Sequence, residues 1–303
     1  DHSLKTKLLD MKKILVPTDF SEPANNAATV ATEIARKSGG EVILLHIVEQ
    51  PTKESFNVEG QIDQISDWEE KFFTIKLIER NKVQLQEKVA GIQGAGVPVR
   101  QILKMGNAFH GISAVITELD VDLVVMGTSG RSRLEEIIVG SNTEKVVRHS
   151  KCPVLTIHDQ LPGKDLFKNI VYATSLSLEE RYFSDVIVYA QKLFDARVHL
   201  VRINSPANFR PDTEVKKLME KFAHKVQLSN YTLNVFNDYS EDEGIINFAD
   251  SINADLIALA THGRSGLAHV IAGSIAEDVA NHSRKPVLTY VTNKSLNRIE
   301  VVH

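Results

Sequence analysis

The chain has 303 residues, 43% hydrophobic and 24% charged, a composition typical of a globular protein and a length that suggests two domains. The formal net charge of −4 gives no basic field that would attract nucleic acid or an anionic membrane. No apolar run approaches the roughly 20 residues that span a bilayer, and the single Cys152 cannot form an internal disulfide, so we predict a cytoplasmic protein.

The chain begins with a polar decapeptide that lacks the apolar region of a signal peptide. Met11 then precedes two lysines and an apolar run, an order typical of a natural start, so residues 1–10 are interpreted as an addition. The helix after the first strand is predicted from apolar residues at helical spacing and from Ser21 as its N-cap. Continuous apolar runs predict five parallel strands covered on both faces, at 14–17, 42–48, 97–103, 123–127 and 154–157.

Residues 51–90 form a polar insert with a helical pattern, to which the sequence assigns no role. Its aromatic residues, Trp68, Phe72 and Phe73, are expected to pack the insert helix onto the sheet. A second set of strands follows with a shorter connection at the equivalent point, at 170–174, 198–203, 231–236, 256–260 and 287–290.

The second half of the chain repeats the first. The segments DLVVMGTSGRS from Asp122 and DLIALATHGRS from Asp255 align without a gap at an offset of 133 residues. The stretch around Pro162 between the copies is typical of a linker. We therefore predict an α/β protein of two tandem doubly wound domains, at 11–158 and 168–291, each with a five-stranded parallel sheet and helices on both faces.

Three segments of the first copy follow strand ends, which is where an open doubly wound sheet binds its ligands. Glycines in two of them let the backbone approach phosphate oxygens, and free amides at the start of the last helix favour an anion. Asp19 offers an acceptor to a ribose hydroxyl or an adenine amine. The segments are Pro17-Thr18-Asp19, Met126-Gly127-Thr128-Ser129-Gly130 and Gly140-Ser141-Asn142-Thr143.

The spacing of Gly127, Gly130, Gly140 and Ser141 is G-x2-G-x9-G-S, and the first strand reads ILVPTDFSE. At these residues the chain resembles the ATP-binding members of the universal stress protein family, and the resemblance covers residues 11–291 in two copies. It implies an ATP-binding regulatory protein of the stress response. ATP, accompanied by Mg²⁺, would be a ligand that favours one conformation or assembly state.

The same resemblance suggests roles for individual residues. Asp19 would contact the nucleoside, the backbone of Ile47 would lie near adenine, and Met126 near the base or ribose. Arg131 is a candidate contact of the terminal phosphates, and no metal-ligating side chain is identified. The complete expected ATP site is Pro17, Thr18, Asp19, Ile47, Met126, Gly127, Gly130, Arg131, Gly140, Ser141, Asn142 and Thr143.

The second copy departs from this pattern on the nucleoside side and at the first glycine. Ala173, Ser175 and Ala260 stand at the positions of Pro17, Asp19 and Gly127 in the first copy. We expect this copy to bind ATP weakly or not at all, or to hold a different small ligand. Its candidate ligand residues are Thr174, Ser175, Gly263, Gly273 and Ser274.

Alternatives stay open for each of these residues. Ser141 and Glu144 form a capping box that stabilises a helix without a ligand, the glycines serve tight packing, and Asp19 stabilises a turn. A slow ATPase or phosphoryl transferase is a second functional class, although no base beyond Asp19 is evident and no catalytic residue is assigned.

A ligand-free interaction module is the third functional class. The apolar runs at 154–157 and 287–290 suit edge pairing, within the chain as a pseudo-dimer or between chains as a homodimer.

Overall fold

The computed structural model of the protein describes residues 11–49, 54–56, 62–64, 67–128, 141–158, 166–262 and 274–292. Within these ranges strands alternate with helices from end to end. The predicted α/β class is confirmed. Each of the ten predicted strands is present, and its ends differ from the expected ones by no more than about two residues.

The first half of the chain opens with a strand and a helix whose ends are fixed by caps. Ser21 Oγ accepts a hydrogen bond from the Ala24 amide at 3.4 Å, and Gly39 ends the helix at a φ of 64°. The elements are β1 (Lys13–Pro17), α1 (Glu22–Ser38), β2 (Glu41–Val48), β3 (Glu54–Phe56), β4 (Ile62–Gln64), α2 (Asp67–Gly94), β5 (Val99–Met105), α3 (Ala108–Leu119), β6 (Leu123–Gly127), α4 (Ser141–His149) and β7 (Val154–Ile157).

Among the described residues, the second half repeats this order without counterparts of β3 and β4, and it also differs at its first helix. A 3-10 turn, Leu178–Glu180, precedes that helix, whereas α1 begins directly from its N-cap. The elements are β8 (Asn169–Ala173), α5 (Arg181–Phe194), β9 (Arg197–Asn204), α6 (Asp212–Lys225), β10 (Tyr231–Asn237), α7 (Glu241–Ser251), β11 (Leu256–His262), α8 (Ser274–His282) and β12 (Val287–Thr292).

The ten long strands form one continuous sheet in the order β10-β9-β8-β11-β12-β7-β6-β1-β2-β5. All neighbours are parallel except β7 and β12, which pair antiparallel at the centre and join the two five-stranded halves. The short β3 and β4 form a separate antiparallel hairpin that the sequence analysis missed.

Strand order reverses in each half beside its first strand. β1 lies between β2 and β6, and β8 lies between β9 and β11. The connections leave β1 and β6 toward opposite faces, which opens a crevice at their carboxyl ends. This geometry directs the described parts of the three sequence segments of the first half, 17–19, 126–128 and 141–143, to one place.

The aromatic residues of the insert do not pack as expected. Trp68, Phe72 and Phe73 are 69%, 51% and 61% exposed, so that prediction was wrong. Helix α2 instead contacts β2 and β5, and its buried apolar residues, Leu85 and Ile92, lie in its C-terminal half. The physical reason is length, because a 28-residue helix is about 42 Å long and extends beyond the strands that it covers.

Candidate functional site

The carboxyl edge of the first half contains a cavity of about 500 Å³, a volume in the range of small-ligand sites. Strand ends, the starts of α1 and α4, and one side of α2 surround it. Gly130, Arg131 and Gly140 lie outside the described residues. The other nine residues of the expected ATP site all line the cavity, namely Pro17, Thr18, Asp19, Ile47, Met126, Gly127, Ser141, Asn142 and Thr143.

The loop after β1 is held by one backbone hydrogen bond to β2 and by two hydrogen bonds within the loop. The Thr18 amide donates to the Leu45 carbonyl at 2.8 Å, which continues the pairing with β2 by one residue. The Phe20 amide donates to Thr18 Oγ1, and the Ser21 amide donates to Asp19 Oδ1, each at 3.0 Å. Asp19 therefore stabilises this turn, as its structural interpretation predicts, while its exposed carboxylate also faces the cavity.

A buried histidine connects this loop to the insert helix. His46 Nδ1 donates to the Thr18 carbonyl at 2.7 Å, and Asn81 on α2 donates from its amide nitrogen to His46 Nε2 at 2.9 Å. Because a carbonyl only accepts, these bonds hold the imidazole in its Nδ1–H tautomer. Phe20 packs on the same ring, with centroids 4.4 Å apart.

Sequence reasoning missed His46 and Asn81. A histidine inside the apolar run of β2 was the available signal for the first. Asn81 lies in a polar helix, and nothing in the sequence of that helix indicates that one of its faces contacts the site. The contact assigns the insert a structural role, because Leu77 and Asn81 of α2 form one wall of the cavity.

Gly127 is required by packing at the end of β6. A Cβ atom built on this residue would lie 2.3 Å from the Pro23 carbonyl carbon and 2.5 Å from the Ala24 nitrogen. No side chain fits there without displacing the first turn of α1. For Gly127, the packing interpretation is therefore sufficient without any ligand.

The start of α4 closes another side of the cavity. Ser141 is exposed, Asn142 half-buried and Thr143 buried. Thr143 Oγ1 lies 3.4 Å from the Gly127 carbonyl oxygen and donates a long hydrogen bond to it, which ties the helix to the end of β6. The first amides of a helix have no intrahelical acceptor, and the helix dipole favours negative charge beside them.

In the second half, a carboxylate of the protein itself occupies the equivalent loop. Glu180 is only 1% exposed. It accepts hydrogen bonds from Thr174 Oγ1 at 2.7 Å, from the Ser175 amide at 3.1 Å and from the Tyr172 hydroxyl at 3.2 Å, and Ser175 Oγ also donates to it. Two of the five candidate residues, Thr174 and Ser175, are thus engaged internally.

The remaining second-half candidates are less well defined. Gly263 and Gly273 lie outside the described residues, and Ser274 is the first residue of α8. Ala260 of β11 stands at the position that Gly127 has in β6, and a 3-10 turn, Leu178–Glu180, precedes α5.

Three further observations concern the described residues. Cys152 is buried, and burial raises the pKa of its thiol to about 11, so it is not an activated nucleophile. No cluster of three His, Cys, Asp or Glu residues suited to a metal ion occurs in the described ranges. Within the same ranges, the helices are too short or too polar to cross a bilayer.

The comparison with known proteins divides the chain into the same two halves as the sheet does. The model of the universal stress protein family matches residues 11–158 and 166–290. The chain belongs to this family. The two matched ranges include both five-stranded halves of the ten-stranded sheet.

Similar universal stress proteins match either the whole chain or one half of it. Universal stress protein Slr1230 of Synechocystis sp. is 23% identical over 299 residues, which cover 92% of this chain and 100% of that protein. Universal stress protein MJ0577 of Methanocaldococcus jannaschii is 31% identical over 153 residues, 48% of this chain and 94% of that protein. A crystal structure of a universal stress protein from Archaeoglobus fulgidus shares the fold at 19% identity, with a TM-score of 0.75 over 93% of this chain and 99% of that one.

Proposed function

We propose that the protein is an ATP-binding regulator of the stress response, with its nucleotide site in the first domain, residues 11–158. The observation that carries this proposal is the 500 Å³ cavity at the β1–β6 crevice, which nine residues of the expected ATP site line. The proposal also rests on the resemblance of the glycine spacing to the ATP-binding members of the family.

The cavity fits the parts of a nucleotide in a consistent order. Leu45, Leu77 and Met126 offer an apolar surface for the base, and Asp19 offers an acceptor for ribose hydroxyls. At the opposite side, Ser141 and Asn142 begin the helix whose free amides suit phosphate oxygens. Mg²⁺ would be held mainly by the phosphates and water, since it needs few protein ligands.

ATP would act as a conformational or assembly ligand. Binding shifts such an equilibrium only by the difference in affinity for the two states. Light scattering with and without ATP measures whether the assembly state is the one that changes, including a homodimer of two chains.

The second domain, residues 168–291, is proposed to act mainly as a pairing partner in a pseudo-dimer. Two observations support this role, namely the antiparallel β7–β12 pairing and the engagement of Thr174 and Ser175 by Glu180. ATP would then bind at about one molecule per chain. A slow ATPase activity is the alternative, and turnover that persists in an Asp19→Ala variant excludes Asp19 as its base.

The nucleotide proposal is tested by mass spectrometry of small molecules released from the purified, denatured protein, followed by calorimetry. We expect Asp19→Asn to weaken ATP binding by about tenfold or more, because it removes a charged hydrogen bond to the ribose. Glu22→Gln is the matched control, since Glu22 is a neighbouring carboxylate in the first turn of α1 that does not line the cavity. No ATP binding by the wild type, or an equal loss in both variants, would contradict the proposal.

A further inference from the structure

The second domain has another cavity, of about 370 Å³, between the end of β8, the strand β9 and the helix α6. Four of its lining residues are cationic, namely Arg202, Arg210, Lys221 and Lys225. None of the described residues that line it is acidic, and α6 adds an apolar surface that includes Phe222. Of the described residues of the ligand site expected from the sequence, Ser175 alone lines this cavity.

Among the four cations, Arg202 is the one that the sheet itself directs into this region. Its neighbours Val201 and Ile203 are buried in the core on one face of the sheet. Alternate residues of a strand point to opposite faces, so Arg202 lies on the face where Leu200 and Phe222 are packed. A half-buried guanidinium at this position requires a polar partner.

The part of the chain that the structure describes provides no carboxylate for this charge. Arg202, Lys221 and Lys225 form no ion pair there, and Arg210 is 3.8 Å from the exposed Glu214. Glu220 is on the same helix, but it lies 3.5 Å from His224. The cavity therefore concentrates positive charge in a protein whose formal net charge is −4.

We propose that this cavity binds a small phosphorylated molecule with at least two negative charges. Arginine supplies paired donors that match phosphate geometry, and lysines add mobile positive charge around it. A small ligand fits better than a nucleic acid, because the cations surround a concave volume of about 370 Å³ and are not spread along an extended face. The second domain would thus have a ligand site although Glu180 binds Thr174 and Ser175 in the loop after β8.

Pyrophosphate is the probe for this site, titrated by calorimetry into the full chain at fixed ionic strength. The pocket variant is Arg202→Gln with Lys225→Gln. The matched control is Lys216→Gln with Lys217→Gln, which removes two charges from exposed positions of α6 that do not line the cavity. Binding to the first domain is common to all three proteins and cancels in the comparison.

We expect the pocket variant to lose one pyrophosphate site or to bind at that site at least about tenfold more weakly, because charge-assisted hydrogen bonds are lost. The control is expected to titrate like the wild type. Equal weakening in both variants means general attraction to a basic helix and overturns the proposal. A pocket variant that matches the wild type, or a wild type without this site, overturns it too. Circular dichroism of each variant checks that the fold is retained.

Discussion

Gly127 has a role in packing that does not depend on a bound nucleotide. A Cβ atom there would lie within 2.5 Å of the backbone of Pro23 and Ala24. We therefore expect Gly127→Ala to lower the free energy of unfolding by about 1–3 kcal/mol, the usual cost of overpacking a close contact. Urea denaturation followed by circular dichroism measures the change.

Gly91→Ala is the matched control for this substitution. Gly91 lies inside α2, and a Cβ atom added to it meets nothing within 4 Å. Alanine is the better helix former, so the control is expected to stabilise the protein by up to about 1 kcal/mol. Similar losses in the two variants would show that the contact with α1 is not what restricts position 127.

The packing role of Gly127 was visible in the sequence only as one of several interpretations. The spacing of the glycines identified the position, but the reason for it is an approach between β6 and α1, which are about 100 residues apart along the chain. Local sequence patterns do not indicate which residues that are far apart along the chain contact each other in the fold. For the same reason, the sequence did not indicate the role of Glu180. Its carboxylate accepts hydrogen bonds from Thr174 and Ser175, which were predicted to bind a ligand.

Most strands were predicted well because they are continuous apolar runs, whereas the outer strands β5 and β10 also contain polar residues such as Arg100 and Asn234. Hydrophobic periodicity reports burial, and the strands of a parallel sheet are buried on both faces. The hairpin of β3 and β4 lies in the polar insert, where no apolar run marks its three-residue strands. The insert helix was predicted, but its contact with His46 depends on the tertiary fold and not on its own pattern.

The hydrogen bond between Asn81 and His46 fixes α2 to the loop after β1, because His46 also binds the Thr18 carbonyl. Asn81→Ala leaves the buried His46 Nε2 without its donor, which costs about 1–3 kcal/mol of unfolding free energy. We also expect weaker ATP binding, because α2 then no longer holds that wall of the cavity. Urea denaturation and calorimetry measure the two effects.

Gln86→Ala is the control on the same helix, since Gln86 is exposed and does not line the cavity. It should change stability by no more than about 0.5 kcal/mol and leave ATP affinity unaltered. An Asn81→Ala protein with wild-type stability would contradict the assigned bond. Lost stability with unchanged ATP affinity would confine the bond to a structural role.

The two halves of the chain pair through equivalent strands, β7 and β12, in a pseudo-twofold arrangement. Thr156 and Thr289 are equivalent in the repeat, and both are buried at the β7–β12 pairing. Thr156 Oγ1 donates to the Val287 carbonyl at 3.2 Å, and Thr289 Oγ1 donates to the Val154 carbonyl at 3.4 Å. The sequence showed the repeat, but not that its two copies form reciprocal bonds.

One contact across the domains breaks this symmetry. Arg148 of α4 forms a bidentate ion pair with Glu277 of α8 and also approaches Glu144 at 3.4 Å. The repeat equivalent of Arg148 is Asn281, so the reciprocal pair cannot form. Helix α4, which lines the first cavity, is therefore connected to the second domain by an ion pair that has no counterpart in the opposite direction.

The central strand pair also restricts how two chains can associate. β7 and β12 are paired with each other, and β5 and β10 are the outer strands of the sheet. A homodimer therefore cannot repeat the β7–β12 pairing between chains unless the two domains separate. The stability of this pairing determines which form of association is available.

Replacing both threonines by valine tests the central pairing. Thr156→Val with Thr289→Val keeps the β-branched shape and removes two buried hydroxyl bonds, each worth about 1 kcal/mol. We expect a loss of about 1–2 kcal/mol in unfolding free energy and faster hydrogen exchange in peptides that contain β7 and β12. Two surface threonines on helices, Thr29 and Thr117, provide the control as a double valine variant, because their hydroxyls bond only within their own helix. If exchange accelerates equally in both proteins, or in neither, the hydroxyl bonds do not hold the domains together, and the pairing depends on the backbone ladder and the apolar core alone.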